Sequence, residues 1–143
     1  MSVLSLNGEQ EAEGGMEDKG DARAVVLVVE DFEDNRFMMR RLLEMSGYYV
    51  VEAVNGNQAV EQASSQRPDI ILMDLSLPQL DGLAATRRIR AQEGSRKVPI
   101  IAVSAHDSAD FHAEALAAGC NEYVTKPIDF DQLVQLLHRL TTK

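Results

Sequence analysis

Five short apolar runs, at residues 24–29, 48–53, 70–73, 98–103 and 122–125, alternate along the chain with segments of helical periodicity. The runs at 24–29, 70–73 and 98–103 are almost continuously Val, Ile, Leu, Met and Ala, with no in/out alternation. Strands of that kind are buried on both faces, which a parallel sheet with helices above and below provides. Alternation of strand and helix with short connections predicts one doubly wound α/β domain, its crossovers right-handed.

The intervening segments supply the helices. The first places Met38, Leu42 and Met45 at i, i+4 and i+7 and is expected to turn them inward, with Arg36, Arg40 and Arg41 outside. Ser46-Gly47 stops it. Asn55-Gly56 opens a short helix with Ala59, Val60 and Ala63 inward. A third runs from about Gly82 to Gln92 with Arg87, Arg88 and Arg90 on its wet side. The fourth, 109–118, is Ala-rich, with Phe111 and Leu116 as its main apolar anchors and Gly119 as its stop. Asp129 with Gln132 resembles a capping box for the last, which carries Leu133, Leu136, Leu137 and Leu140 on one stripe.

Length and charge narrow the function classes. The 143 residues suit one domain. A net charge of −9 argues against a nucleic-acid partner. No apolar run is long enough to span a membrane and no secretory signal opens the chain, so a cytoplasmic location is expected. The single cysteine, Cys120, excludes an internal disulfide and has no neighbour in sequence that would activate it. Residues 1–23 carry six acidic side chains against Lys19 and Arg23, with several glycines, and are expected to be a disordered acidic tail ahead of a domain spanning 24–143.

Polar residues stand where the strands end. Glu30 and Asp31 follow the first run, Asp74 the third, Ser104 the fourth and Lys126 the fifth. In a parallel sheet these positions share one edge, where ligands bind. Carboxylates gathered there repel, and a divalent cation removes that cost. Hard oxygen donors with few protein contacts suit Mg²⁺, which keeps several waters. A hydroxyl and an ammonium beside such a metal suit phosphoryl oxygens. Phosphoryl transfer then needs an in-line nucleophile, and Asp74, central in the set, is the best candidate for forming an acyl phosphate. Glu30 and Asp31 would hold Mg²⁺, Lys126 would add a positive charge and Ser104 a hydrogen bond.

The ordered set Glu30-Asp31, Asp74, Pro78, Asp81-Gly82, Ser104-Ala105, Lys126-Pro127 resembles the receiver domain of two-component response regulators, over residues 24 to about 140. The resemblance implies a flavodoxin-like (βα)5 fold with strand order 2-1-3-4-5, and Mg²⁺-dependent phosphorylation of Asp74 by a histidine kinase or histidine phosphotransfer protein. It implies metal ligation by Asp31, Asp74 and the Ser76 carbonyl, with Glu30 at the remaining acidic position. It further implies Ser104 and Tyr123 as switch residues, a cis Lys126-Pro127 bond, and a tuning role for Ser76 and His106 in acyl-phosphate lifetime. Such a domain is a phosphoacceptor rather than a turnover enzyme. It would act as a monomer or weak dimer that docks on a downstream protein, in the manner of the chemotaxis regulator.

Other readings make different demands. A flavodoxin would place an uncharged phosphate-binding loop where Glu30-Asp31-Phe32-Glu33-Asp34 stands. No Walker loop occurs. An aspartyl-phosphate hydrolase would need a second acid two residues after the nucleophile, where Ser76 stands. With His112 and His138 scattered, His106 is not expected to build a metal site. Within the receiver reading, the alternatives are a phosphate sink, a relay intermediate, or a receiver cut from a hybrid kinase. Met1 and the tail favour a single-domain protein.

Overall fold

The computed structural model describes residues 23–77 and 81–142. Residues 1–22 of the expected tail, and Pro78 after Asp74, lie outside the described residues.

Strands β1 (Val25–Val29), β2 (Tyr49–Ala53), β3 (Ile70–Asp74), β4 (Ile100–Ser104) and β5 (Glu122–Thr125) form one parallel sheet in the order β2-β1-β3-β4-β5. Helices α1 (Glu33–Met45), α2 (Gly56–Gln66), α3 (Gly82–Ala91), α4 (Ala109–Ala118) and α5 (Phe130–Thr141) connect and follow them. This is the doubly wound α/β domain expected from the alternation, with the flavodoxin-like (βα)5 strand order that the family resemblance implied. β4 begins after Pro99, whose nitrogen cannot donate but whose carbonyl accepts from Ile71.

Residues of each central strand divide between two cores. Val26 and Val28, Ile70 and Leu72, and Ile101 face one layer, where Leu43 of α1 and Leu133 and Leu137 of α5 cover them. Leu27 and Val29, Ile71 and Met73, and Ile100 and Ala102 face the other, with Ala59, Ala63, Ala85, Ile89 and Ala115. Burial on both sides is why these strands are continuously apolar.

The helix boundaries follow from local chemistry. Gly47 takes φ +96, its amide bonds to Glu44 O, and the Tyr48 amide bonds to Leu43 O, which together close α1 in a Schellman motif. Asn55, Asp81, Ser108 and Asp129 each accept an amide bond from the residue three positions on, capping α2, α3, α4 and α5.

Three helix faces differ from expectation. In α1, Met38 and Met45 are exposed, while Leu43 is fully buried and Met39 half-buried. The helix is turned so that Arg36 and Arg40, expected outside, reach Glu52 of β2 at 3.4 and 3.0 Å. In α4 the inward residues are Ala115 and Ala118, and Phe111 and Leu116 face out. In α3 Arg87 and Arg88 are exposed as expected, but Arg90 folds back and donates to the carbonyls of Val98 and Gly119.

Candidate functional site

The sheet register assembles the site. Val29 pairs with Met73, so Glu30 and Asp74 lie side by side at the C-terminal edge. Asp74 pairs with Val103 and Ser104 with Thr125, which sets Ser104 and Lys126 on the adjoining ends. The strand order reverses between β1 and β3, and at such a switch point the outgoing loops diverge and leave a crevice. Glu30, Asp31 and Asp74 border that crevice, with carboxylate oxygens within 4.8 Å of one another.

Asp74 is almost fully buried, at 4 % exposure, and both its oxygens are engaged. Oδ1 accepts the Ser76 amide at 2.9 Å, and Oδ2 lies 3.4 Å from Lys126 Nζ. The same ammonium stands 3.8 Å from Glu30 Oε1. Glu30 Oε2 accepts the Phe32 amide at 3.1 Å, and Arg36 Nη1 donates to the Glu30 carbonyl at 3.1 Å. Burial pushes the Glu30 carboxyl above its ordinary range; the Phe32 amide and Lys126 work against that rise, and Asp74 and Asp31 add to it. Asp31 is exposed at the mouth. The Lys126-Pro127 bond is cis.

Gly82, at the start of α3, is required by packing. A Cβ there would lie 2.5 Å from the Asp74 carbonyl oxygen and 2.7 Å from Leu75 Cα. The missing side chain lets the start of α3 press against the chain as it leaves Asp74.

The donor set suits a hard divalent cation: oxygen ligands, an open side toward solvent, and excess negative charge that a cation would offset. Among the described residues this is the one such cluster, and His106, His112 and His138 belong to none.

Ser104 is buried, and its Oγ accepts the His106 amide at 3.0 Å. Its hydroxyl hydrogen has no acceptor among the described residues. The His106 carbonyl in turn accepts Tyr123 Oη–H at 2.7 Å. The expected switch residues are therefore joined through one intervening residue. His106 stacks on Phe111 at 4.2 Å and Tyr123 on His112 at 3.9 Å. Ser76 is exposed at the rim. The roles of Arg36 and Arg90 had no local signal, because their acceptors lie on other elements.

A cleft of about 330 Å³ continues from Glu30, Asp74 and Lys126 between α1 and the β5–α5 connection, where Met38, Leu42 and Phe130 line it. Met38 thus faces this cleft instead of the core.

Residues 26–138 match the response regulator receiver domain family. A polar-differentiation response regulator, DivK of Brucella anthropi, is 36% identical over 112 residues, which are 78% of this chain and 91% of that protein. The receiver domain of a sensor histidine kinase from Pseudomonas aeruginosa is 43% identical with a TM-score of 0.79, over 85% of this chain and 100% of that one, and holds a coordinated magnesium ion in its active-site cleft. Vibrio cholerae chemotaxis protein CheY4 superposes with a TM-score of 0.79 at 29% identity, over 83% of this chain and 99% of that one. On the extent of these matches, and with its acids, hydroxyl and lysine gathered at one sheet edge, the chain belongs to the response regulator receiver domain family.

Proposed function

We propose that this domain accepts a phosphoryl group on Asp74 from a phosphohistidine partner, with Mg²⁺ bound, and that the acyl phosphate changes a protein-docking surface. The observation that carries the reading is the setting of Asp74. It is buried among two further acids, with one oxygen fixed by the Ser76 amide and the other facing Lys126.

A carboxylate oxygen of Asp74 attacks phosphorus in line. The new O–P bond forms as the N–P bond of the phosphohistidine breaks, and its electron pair returns to the imidazole nitrogen. Mg²⁺, held by Glu30, Asp31, Asp74 and the Ser76 carbonyl, would neutralise charge on the phosphoryl oxygens. Lys126, already 3.4 Å from Asp74, offers a second positive charge to those oxygens. The Ser104 hydroxyl offers a hydrogen bond to one of them.

Movement of Ser104 toward the phosphoryl group would disturb the bond it accepts from the His106 amide, and through the His106 carbonyl the bond to Tyr123. The acyl phosphate biases a two-state equilibrium by making different contacts in each state. The partners are a histidine kinase or histidine phosphotransfer protein on one side and a downstream protein on the other, and the setting is cytoplasmic. Among the described residues no helix is long and apolar enough to cross a membrane.

The test is transfer from a radiolabelled phosphohistidine phosphotransfer domain. Label should move to this protein with Mg²⁺ present and stay on the donor in chelator. Equal transfer in chelator would overturn the metal-dependent mechanism.

A further inference from the structure

The two ends of α4 are held in different ways. At the C-terminal end a single side chain binds three segments together. Arg90 Nε and Nη2 donate to Gly119 O at 3.0 and 2.8 Å, and Nη2 donates also to Asn121 Oδ1 at 2.8 Å. Its Nη1 donates to Val98 O at 2.6 Å and to Arg96 O at 3.1 Å. Asn121 is tied to β4 in both directions: its Oδ1 accepts the Ile100 amide at 2.8 Å, and its own amide donates to Ile100 O at 2.7 Å. The end of α3, the start of β4 and the α4–β5 turn are thus one hydrogen-bonded block.

Gly119 makes the block possible on two counts. Its φ is +117, and a Cβ would lie 2.8 Å from Arg90 Cγ. The buried residues of α4, Ala115 and Ala118, belong to the same half of the helix, and Cys120 is buried just beyond.

The N-terminal end has none of this. Residues 105–111 are exposed. Apart from the His106 amide bond to Ser104 Oγ, which the switch itself would disturb, their ties are the exposed Tyr123–His106 bond, Thr125 Oγ1 to Asp107 Oδ1 at 3.2 Å, His112 Nε2 to Asp107 Oδ1 at 3.3 Å, and the ring stacks of His106 on Phe111 and Tyr123 on His112. Bonds among solvated side chains exchange readily for bonds to water and resist little. The bonds of half-buried Arg90 to the Gly119 and Val98 carbonyls are charge-assisted and part-buried, and a fork of several such bonds resists more.

We propose that α4 pivots on its Arg90-held C-terminal end, so that the surface altered by phosphorylation is the segment 105–112 with Tyr123, while the Leu116 and Gly119–Asn121 end stays in place. This rests on the switch reading above. It means that a partner sensing the phosphorylated state must contact His106, Phe111 or His112, and that contacts to Leu116 alone do not distinguish the states.

The experiment is amide NMR of the full chain with Mg²⁺, before and after beryllofluoride as the acyl-phosphate mimic. In the wild type, amide shifts at 106–112 should change several-fold more than those of Gly119, Cys120 and Asn121. In Arg90→Met the changes should extend through Gly119 and Asn121, and Arg90→Lys, which keeps the charge but not the fork of donors, should fall between. Shifts at 119–121 as large as those at 106–112 in the wild type would overturn the pivot and leave the switch standing. Shifts confined to the surroundings of Asp74 would remove both. The wild-type comparison decides the matter even if a variant at Arg90 fails to fold.

Discussion

Lys126 Nζ lies 3.4 Å from Asp74 Oδ2, bringing a cation from the end of β5 to the acid at the end of β3. The pair is uneven: the Asp74 side chain is 5% exposed and that of Lys126 32%. The exposed partner limits what the pair is worth, yet its loss leaves Glu30, Asp31 and Asp74 unbalanced. Lys126→Met should lower stability in chelator by about 1 kcal/mol, after discounting for screening. Added Mg²⁺ should recover most of that loss, because the cation offsets the same charge. Thermal unfolding with and without Mg²⁺ measures both.

Asp31 is the acid at the open mouth, exposed and without an ion pair among the described residues. Without metal, Asp31→Asn should change stability by less than about 0.5 kcal/mol. The wild type should gain about 1.4 kcal/mol at a Mg²⁺ concentration about ten times the Kd, and the variant should gain almost nothing. Denaturant titrations at fixed Mg²⁺ separate these outcomes.

The rotation of α1 gives a packing prediction. Leu43→Ala should cost about 2–5 kcal/mol, since Leu43 is fully buried between sheet and helix. Met38→Ala, at a side chain 56% exposed, should cost less than about 0.5 kcal/mol. Comparable losses at both positions, read from denaturant midpoints, would contradict the observed face.

These side chains also show which features a sequence discloses. The strands were legible because a strand covered on both sides must be apolar at every position, a local signal. Their ends were legible because Glu30, Asp74, Ser104 and Lys126 interrupt apolar runs, and parallel register brings such ends together. The face of α1 was not. Met38, Leu42 and Met45 form one stripe and Met39 with Leu43 another about 100° away, so apolar spacing alone leaves two inward faces. In the fold Met39 and Leu43 turn inward, and Arg36 and Arg40 reach Glu52 on β2, a contact with no local signal in the sequence. Arg90 looked like its neighbours Arg87 and Arg88, because carbonyl acceptors carry no side-chain signature. In α4 the large residues drew attention, but the close contact needed Ala115 and Ala118.

Cys120 supplies a pH dependence. Burial pushes its thiol up, and the Thr86 bond and Arg90 only partly oppose that. The folded state therefore holds the proton to higher pH than the unfolded chain does. Stability is unaffected below the unfolded thiol value, about 8.5, and falls as pH rises from there toward the raised folded value. Cys120→Ala should flatten that alkaline decline. Urea unfolding between about pH 8 and 10 tests it, and an identical slope in both proteins would contradict the burial assignment.

The most direct test of the central claim is site mapping of the phosphoryl group. The wild type, incubated with a small acyl-phosphate donor and Mg²⁺, should gain one acid-stable, base-labile phosphoryl group, visible in its intact mass and located on the peptide carrying Asp74. Asp74→Asn, under the same conditions, should gain none. Phosphorylation of Asp74→Asn at the wild-type level, or of the wild type at a residue other than Asp74, would contradict the account.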